Sequence, residues 1–332
     1  MRKFLLSTSA IAGVALLSSA AIADVTIKGT VEWEMISGDT DFTTTDGTSM
    51  ATNNEVLIDF TTKTDSGLTL TYNMDIDGDA GAGIDDNSMS IAGGFGKIVL
   101  GQTDGVADAM AIHAASLVAE EHGMSMTSGV SNVDAQNTVM QETGAQQDGN
   151  TNKASYYLPA MGGLTAGVSF QDSGASTSTD MTAFGAQYAM EASGAAVTLG
   201  YTTETTENAT QDIDSSTIGV KIVMDNLTVV ANQASYEASA EDQTGNSFGA
   251  SYTLPNGLTL AATTMKAEDD GATQTGEEYS VNHYELTYPI ASGLTALIAV
   301  SDYDYKVGTG SPASTKTADS GTISSFMLKA SF

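Results

Sequence analysis

Charged side chains recur at alternate positions in several segments of the sequence, with apolar side chains between them. Successive side chains of a β-strand point to opposite faces, so this pattern predicts strands with one apolar and one charged face. The acidic positions are Glu32, Glu34, Glu55 and Asp59, and the basic positions are Lys28, Lys63, Lys97, Lys221 and Lys329. A face of this kind attracts or repels small ions by charge and does not transform them.

Metal binding is the second chemistry that the residue types allow. Asp75, Asp77 and Asp79 have the spacing of the first three ligands of a calcium loop, which makes them weak candidates for a structural divalent cation. Ala80 stands where that loop requires glycine, and the segment lies between two predicted strands instead of two helices. We expect no other cofactor.

Catalytic chemistry has little support in the sequence. The chain has no cysteine and three histidines, and no serine lies in a nucleophile motif. His283 stands two residues from Glu285 on one predicted strand face, without an accompanying serine motif. The sequence therefore predicts a protein that is not an enzyme.

The composition narrows the class of partner. The formal net charge is −30, so nucleic acid is excluded as a partner. Without cysteine the chain has neither disulfides nor thiolate metal sites. Arg2 is the single arginine, so any anion binding by the rest of the chain depends on lysine, which lacks the bidentate guanidinium fork.

The amino-terminal residues predict export. Arg2 and Lys3 precede an apolar run that reaches Leu17, and the small residues Ala21 and Ala23 follow on either side of Ile22. This is the pattern of a secretory signal peptide over residues 1–23, and the run is too short for a membrane anchor. No other stretch approaches about 18 consecutive apolar residues, so a membrane location requires a β-barrel formed by residues 24–332.

The elements that position the charged face are predicted to be short strands. Residues 68–76 and 164–171 alternate strictly, as do the last eleven residues, which end on Phe332. Seven short turns rich in glycine or asparagine separate pairs of such segments, and longer polar connections join the pairs. This asymmetry predicts an all-β fold: a sixteen-stranded antiparallel transmembrane β-barrel closed by the first and last strands. The connection from about 102 to 151 is far longer than ordinary loops, which indicates a functional role.

Residues 64–68 (Thr-Asp-Ser-Gly-Leu), residues 93–101 (Gly-Gly-Phe-Gly-Lys-Ile-Val-Leu-Gly) and the terminal Phe332 resemble the general diffusion porins of alphaproteobacteria. The resemblance implies a homotrimer of sixteen-stranded barrels. It also implies that residues 102–151 fold inward as a constriction loop. The loop acids would then be Asp104, Asp108, Glu120, Glu121, Asp134 and Glu142. The arginine-rich wall that usually faces this loop in the family is missing.

These features together predict a passive channel in the outer membrane for small hydrophilic solutes and ions. The acidic, arginine-free lumen predicts a preference for cations. Two alternatives stay open on the sequence: an outer-membrane channel specific for one substrate, and a secreted acidic surface β-protein of the adhesin or surface-layer type. The expected partners are further copies of the chain, outer-membrane lipid and the permeating solutes.

Overall fold

The computed structural model describes residues 23–40, 47–78, 83–119, 151–172, 180–207, 212–239, 241–271, 275–308 and 319–332. The predicted signal peptide lies outside these residues, apart from Ala23. The strands are β1 (Asp24–Thr40), β2 (Gly47–Lys63), β3 (Thr69–Asp77), β4 (Gly83–Gly93), β5 (Gly96–Thr103), β6 (Thr151–Tyr157), β7 (Leu164–Gln171), β8 (Asp180–Ala192), β9 (Ala195–Glu207), β10 (Asp212–Met224), β11 (Leu227–Ala238), β12 (Glu241–Thr253), β13 (Thr259–Asp269), β14 (Glu277–Ala291), β15 (Leu294–Lys306) and β16 (Asp319–Ser331).

The sixteen strands form one closed barrel in which every strand pairs antiparallel with its neighbours in sequence. The ring closes where β1 pairs with β16, with Trp33 opposite Leu328. Phe332 completes the seam, since its N–H donates to the carbonyl oxygen of Gly29 at 2.9 Å. The ring of Trp33 also meets the edge of Phe326 at 6.2 Å between centroids. The predicted fold and the closing role of the last strand are confirmed.

The connections differ at the two ends of the barrel. Seven short turns lie at the end that also holds both termini of the barrel, as the turn count predicted. The turn between β8 and β9 uses Ser193 at φ 54° and Gly194 at φ 83°. Positive φ at both central residues is the hairpin geometry that matches strand twist, and glycine adopts it without steric cost. Between β5 and β6, at the other end, the chain forms α1 (Val106–Met110) and a short 3-10 helix (Ala114–Leu117).

The two faces of the barrel wall follow the predicted alternation. Large apolar side chains on the outer face are exposed, among them Ile27, Phe60, Val168 and Phe248. Inward side chains of β7–β16 are mostly buried and include an apolar cluster in which Tyr279 and Tyr303 stack at 6.3 Å. Among the described residues, no helix has the length and apolar character needed to cross a membrane.

Candidate functional site

The first part of the connection between β5 and β6 lies against the inner face of the barrel. α1 packs against β7, β8 and β9, and the 3-10 helix packs against β11, β12 and β13. We call the inner faces of β7–β14 the covered wall. The inner faces of β1–β6, on the other side of the barrel, form the open wall.

Side chains of the covered wall hold the backbone of the connection through hydrogen bonds. Ser169 Oγ accepts the N–H of Val106 at 3.0 Å, and Gln187 Nε2 donates to the carbonyl oxygen of Met110 at 2.8 Å. Further along, the buried N–H of Ala114 lies 3.3 Å from Asn232 Oδ1 and 3.2 Å from Ser247 Oγ. These bonds satisfy backbone groups that would otherwise be buried without partners.

The described connection ends on a wall carboxylate. Glu285 Oε2 accepts the N–H of Ala119 at 2.8 Å, and Glu285 Oε1 accepts the hydroxyl of Thr287 at 2.7 Å. His283 Nε2 lies 3.9 Å from the same carboxylate, and His283 Nδ1 lies 2.8 Å from Ser301 Oγ. Serine, histidine and glutamate thus come together, but Ser301 and His283 are 1% and 0% exposed. A substrate has no access to this serine, so the cluster anchors the connection and provides no nucleophile.

A polar pocket of about 370 Å³ lies between the connection and the open wall. Its charged lining consists of Asp75, Asp86, Asp104 and Lys97, and Ala109 contributes from the α1 side. Lys97 Nζ lies 4.9 Å from the ring centroid of Tyr157, which also lines the pocket. The pocket therefore brings three carboxylates and one ammonium group to the passage beside α1.

The structure places the predicted wall residues on the inward face and pairs some of them. Lys329 and Glu32 are opposite each other across the closing seam and form an ion pair. On neighbouring strands, Asn73 Nδ2 donates to Asp59 Oδ1 at 2.6 Å. Thr30 Oγ1 donates to Glu55 Oε2 at 3.5 Å.

The other predicted wall residues lie apart. Lys28 and Lys63 are exposed on β1 and β2, whereas Glu34 is buried on β1. Lys221 is exposed on β10, five strands along the ring from Lys97 on β5. The predicted wall lysines therefore do not form one cluster.

Only part of the predicted loop site falls within the described residues. Asp104 lines the pocket and Asp108 lies in the first turn of α1. Glu120, Glu121, Asp134 and Glu142 lie outside the described residues. Of the weak metal candidates, Asp75 and Asp77 belong to β3, and Asp79 is outside the described part of the chain. Within that part, no three His, Cys, Asp or Glu side chains are grouped so as to hold a metal ion.

Sequence reasoning missed several residues of the site. Lys153 is an inward lysine of β6 and is 6% exposed. Its alternation with Ser155 and Tyr157 was a usable signal, because the same rule found the other wall lysines. The alternation put Glu285 on a strand face beside His283, but its role as an anchor depends on Ala119, 166 residues away. Burial lowers the pKa of His113, which lies between α1 and the 3-10 helix.

The fold and the inward connection define a class of protein. A closed antiparallel barrel with an apolar outer face, and with a chain segment held against its charged inner face, is a channel of the bacterial outer membrane. The model of the Gram-negative porin family matches residues 7–318, and the chain belongs to this family. Porins are channel proteins, so the alternative of a secreted surface β-protein is wrong.

Several solved structures share the fold. In-vitro folded OmpT of Vibrio cholerae has a TM-score of 0.71 at 12% identity, covering 96% of this chain and 100% of that chain. The anion-selective porin from Comamonas acidovorans has a TM-score of 0.66 at 12% identity, covering 93% and 100%. A mutant of Rh. blastica porin has a TM-score of 0.64 at 15% identity, with the same coverage. No curated protein matches the chain.

Proposed function

We propose that this passive outer-membrane channel passes small hydrophilic solutes and ions with a preference for cations. The observation that carries the proposal is the charge of the pocket beside α1, where the carboxylates of Asp75, Asp86 and Asp104 outnumber Lys97 in the lining and Lys153, which interacts electrostatically with Asp86. Carboxylates that line a water-filled passage raise the local concentration of cations and lower that of anions. The formal charge of −30 acts in the same direction. One porin of similar fold is described as anion-selective, which fits the rule that the lining charges, and not the fold, set the sign of selectivity.

Reversal potentials across a planar bilayer under a KCl gradient test this proposal. The reversal potential of the parent channel is expected to have the sign that a preference for potassium over chloride gives. The Asp104→Asn variant is expected to have a smaller reversal potential of the same sign. A chloride preference in the parent would overturn the cation proposal and leave the channel function intact. A protein that inserts and gives no conductance would contradict the channel function itself.

We further propose that the channel works as a homotrimer, with the short strands at the contact between copies. β5, β6 and β7 have eight, seven and eight residues, whereas β1 and β2 have seventeen. Seven residues tilted by about 40° rise about 18 Å, less than the apolar band of about 25 Å that a barrel presents to lipid. A neighbouring copy of the chain would shield from lipid the part of the wall that these short strands do not span. OmpT of Vibrio cholerae, whose fold is similar, is described in a trimer form.

A matched pair of phenylalanines tests the trimer. Phe170 on β7 and Phe248 on β12 point outward and are each 53% exposed. We expect Phe170→Ala to lower the temperature at which the detergent-solubilised trimer dissociates on a gel, and Phe248→Ala to change it less. Equal shifts would contradict a contact through the short strands, and a monomeric parent protein would contradict the trimer.

A further inference from the structure

Two inward glycines of the covered wall lie side by side beneath the connection. Gly219 of β10 and Gly200 of β9 are direct cross-strand partners, and Ile112, which follows α1, lies on both. A Cβ at position 200 would lie 2.8 Å from Ile112 Cδ1 and 3.0 Å from Ile112 Cγ1. A Cβ at position 219 would lie 2.7 Å from Ile112 Cβ and would also meet the carbonyl oxygen of Ile112. We call this pair the glycine notch.

Ile112 occupies the glycine notch, and hydrogen bonds to the backbone on either side of Ile112 hold it there. Ile112 is 7% exposed. On one side of it, Gln187 holds the carbonyl oxygen of Met110. On the other side, Asn232 and Ser247 hold the N–H of Ala114. A backbone held at residues 110 and 114 cannot slide along the wall, so the space above the two glycines decides how far Ile112 stands from the wall.

The geometry points to the glycine notch as the feature that positions the connection and so sets the width of the passage between α1 and the open wall. This inference rests on the channel function and adds to it the residues that control the size of the passing solute. Optimal carbon–carbon contacts lie at about 3.5–4.0 Å, so a Cβ at either glycine requires a shift of about 1 Å. The strands around the notch are hydrogen-bonded on both sides, and therefore the connection moves, away from the wall and into the passage.

Gly200→Ala and Gly219→Ala are expected to lower single-channel conductance by roughly one third, because a narrower passage beside α1 admits hydrated ions less readily. The conductance for a larger solute ion should fall more than that for potassium. Gly29→Ala is the matched control, since the nearest atom to a Cβ at this strand glycine of β1 is Glu55 O, at 3.6 Å. Unchanged conductance in both notch variants, or an increase, would overturn the inference.

Truncation of Ile112 makes the test sharper. A Cβ at position 200 meets only the side-chain atoms Cδ1 and Cγ1 of Ile112, which Ile112→Ala removes. The double variant Gly200→Ala with Ile112→Ala should therefore have the conductance of Ile112→Ala alone. At position 219 the two closest contacts are with the backbone oxygen and the Cβ of Ile112, which alanine retains, and only the contact with Cγ2 is removed. Gly219→Ala should thus lower conductance in the Ile112→Ala background as well, and equal behaviour of the two glycines would contradict the geometry.

A cross-link keeps the inference testable if a notch variant does not assemble. The chain contains no cysteine, so Ala114→Cys with Ser247→Cys creates a single pair at a contact where Ala114 N and Ser247 Oγ are 3.2 Å apart. The disulfide is expected to form in the conducting protein, because the connection lies against Ser247 there. A conducting protein that does not form the disulfide would show that the conducting state does not hold the connection at the notch. A parent protein without conductance would instead overturn the channel function.

Discussion

The covered wall and the open wall of the barrel carry different side chains and have different contacts. The covered wall presents glycine, serine, asparagine and glutamine to the connection, and its polar atoms bind backbone groups of residues 106–119. The open wall presents lysines and carboxylates, several of them partly exposed to the passage. The covered wall therefore holds the chain's own backbone through small and polar side chains and through Glu285. The open wall faces the pocket, where Lys97 and three carboxylates come together.

The largest expected effect comes from removing hydrogen-bond acceptors on the covered wall. Asn232→Ala with Ser247→Ala leaves the fully buried N–H of Ala114 without its two acceptors, a loss of about 1–3 kcal/mol. The connection should then be cut faster by protease in detergent micelles. Ser216→Ala with Ser235→Ala removes a cross-strand hydroxyl pair that does not contact the connection, and should leave the rate unchanged. Equal rates in the two double variants would show that the covered wall does not hold the connection.

The next effect concerns pH at the connection, where His113 lies between α1 and the 3-10 helix. Burial lowers the pKa of His113 below its usual 6.5, so the docked connection holds a neutral imidazole. When the connection leaves the covered wall, the exposed imidazole of His113 binds a proton below pH 6.5, whereas the buried imidazole of the docked connection stays neutral. Each unit of difference between the two pKa values changes the free energy of docking by about 1.4 kcal/mol. Docking is therefore fully stable above pH 6.5 and weakens as the pH falls through the lowered pKa. Protease cutting should accelerate at low pH in the parent and not in His113→Gln; the same acceleration in both would assign the effect to other groups.

A smaller effect is expected at the closing seam, where β1 of the open wall pairs with β16. The ion pair of Lys329 with Glu32 is partly exposed, with side chains 44% and 17% accessible, so its contribution to stability is about 0.2–1 kcal/mol. A double-mutant cycle with Lys329→Gln and Glu32→Gln, followed by urea unfolding in micelles, measures this coupling. A coupling above that range would show that the charges at the seam also hold the barrel closed.

The smallest effect compares one lysine on each wall. Lys97 lines the pocket on the open wall, whereas Lys221 lies on β10, outside that pocket. Lys97→Gln should raise the potassium-to-chloride permeability ratio about twofold, because it removes the one ammonium group in the pocket lining. Lys221→Gln should change the ratio less. Equal changes in the permeability ratio of the two variants would mean that the total charge of the lumen, and not the charge of the pocket, sets the selectivity.

The sequence predicted the barrel more completely than the site. The alternation of Glu32 with Trp33, and of Lys329 with Leu328, assigned faces correctly because the period of a strand is local and fixed by its geometry. The inward lysine Lys153 followed the same rule and was overlooked. The pairing of Glu32 with Lys329 was out of reach, since it depends on the register of two strands about three hundred residues apart.

Local pattern by itself determined the number of strands, the faces they present, the closing role of Phe332 and the position of the long connection. Those features depend on side-chain alternation and on turn residues, which are properties of neighbouring positions. The tertiary structure decided which wall receives the connection, which carboxylates gather around Lys97, and that Gly200 and Gly219 share one side chain. These contacts join residues from distant strands, and closure of the ring alone fixes their distances.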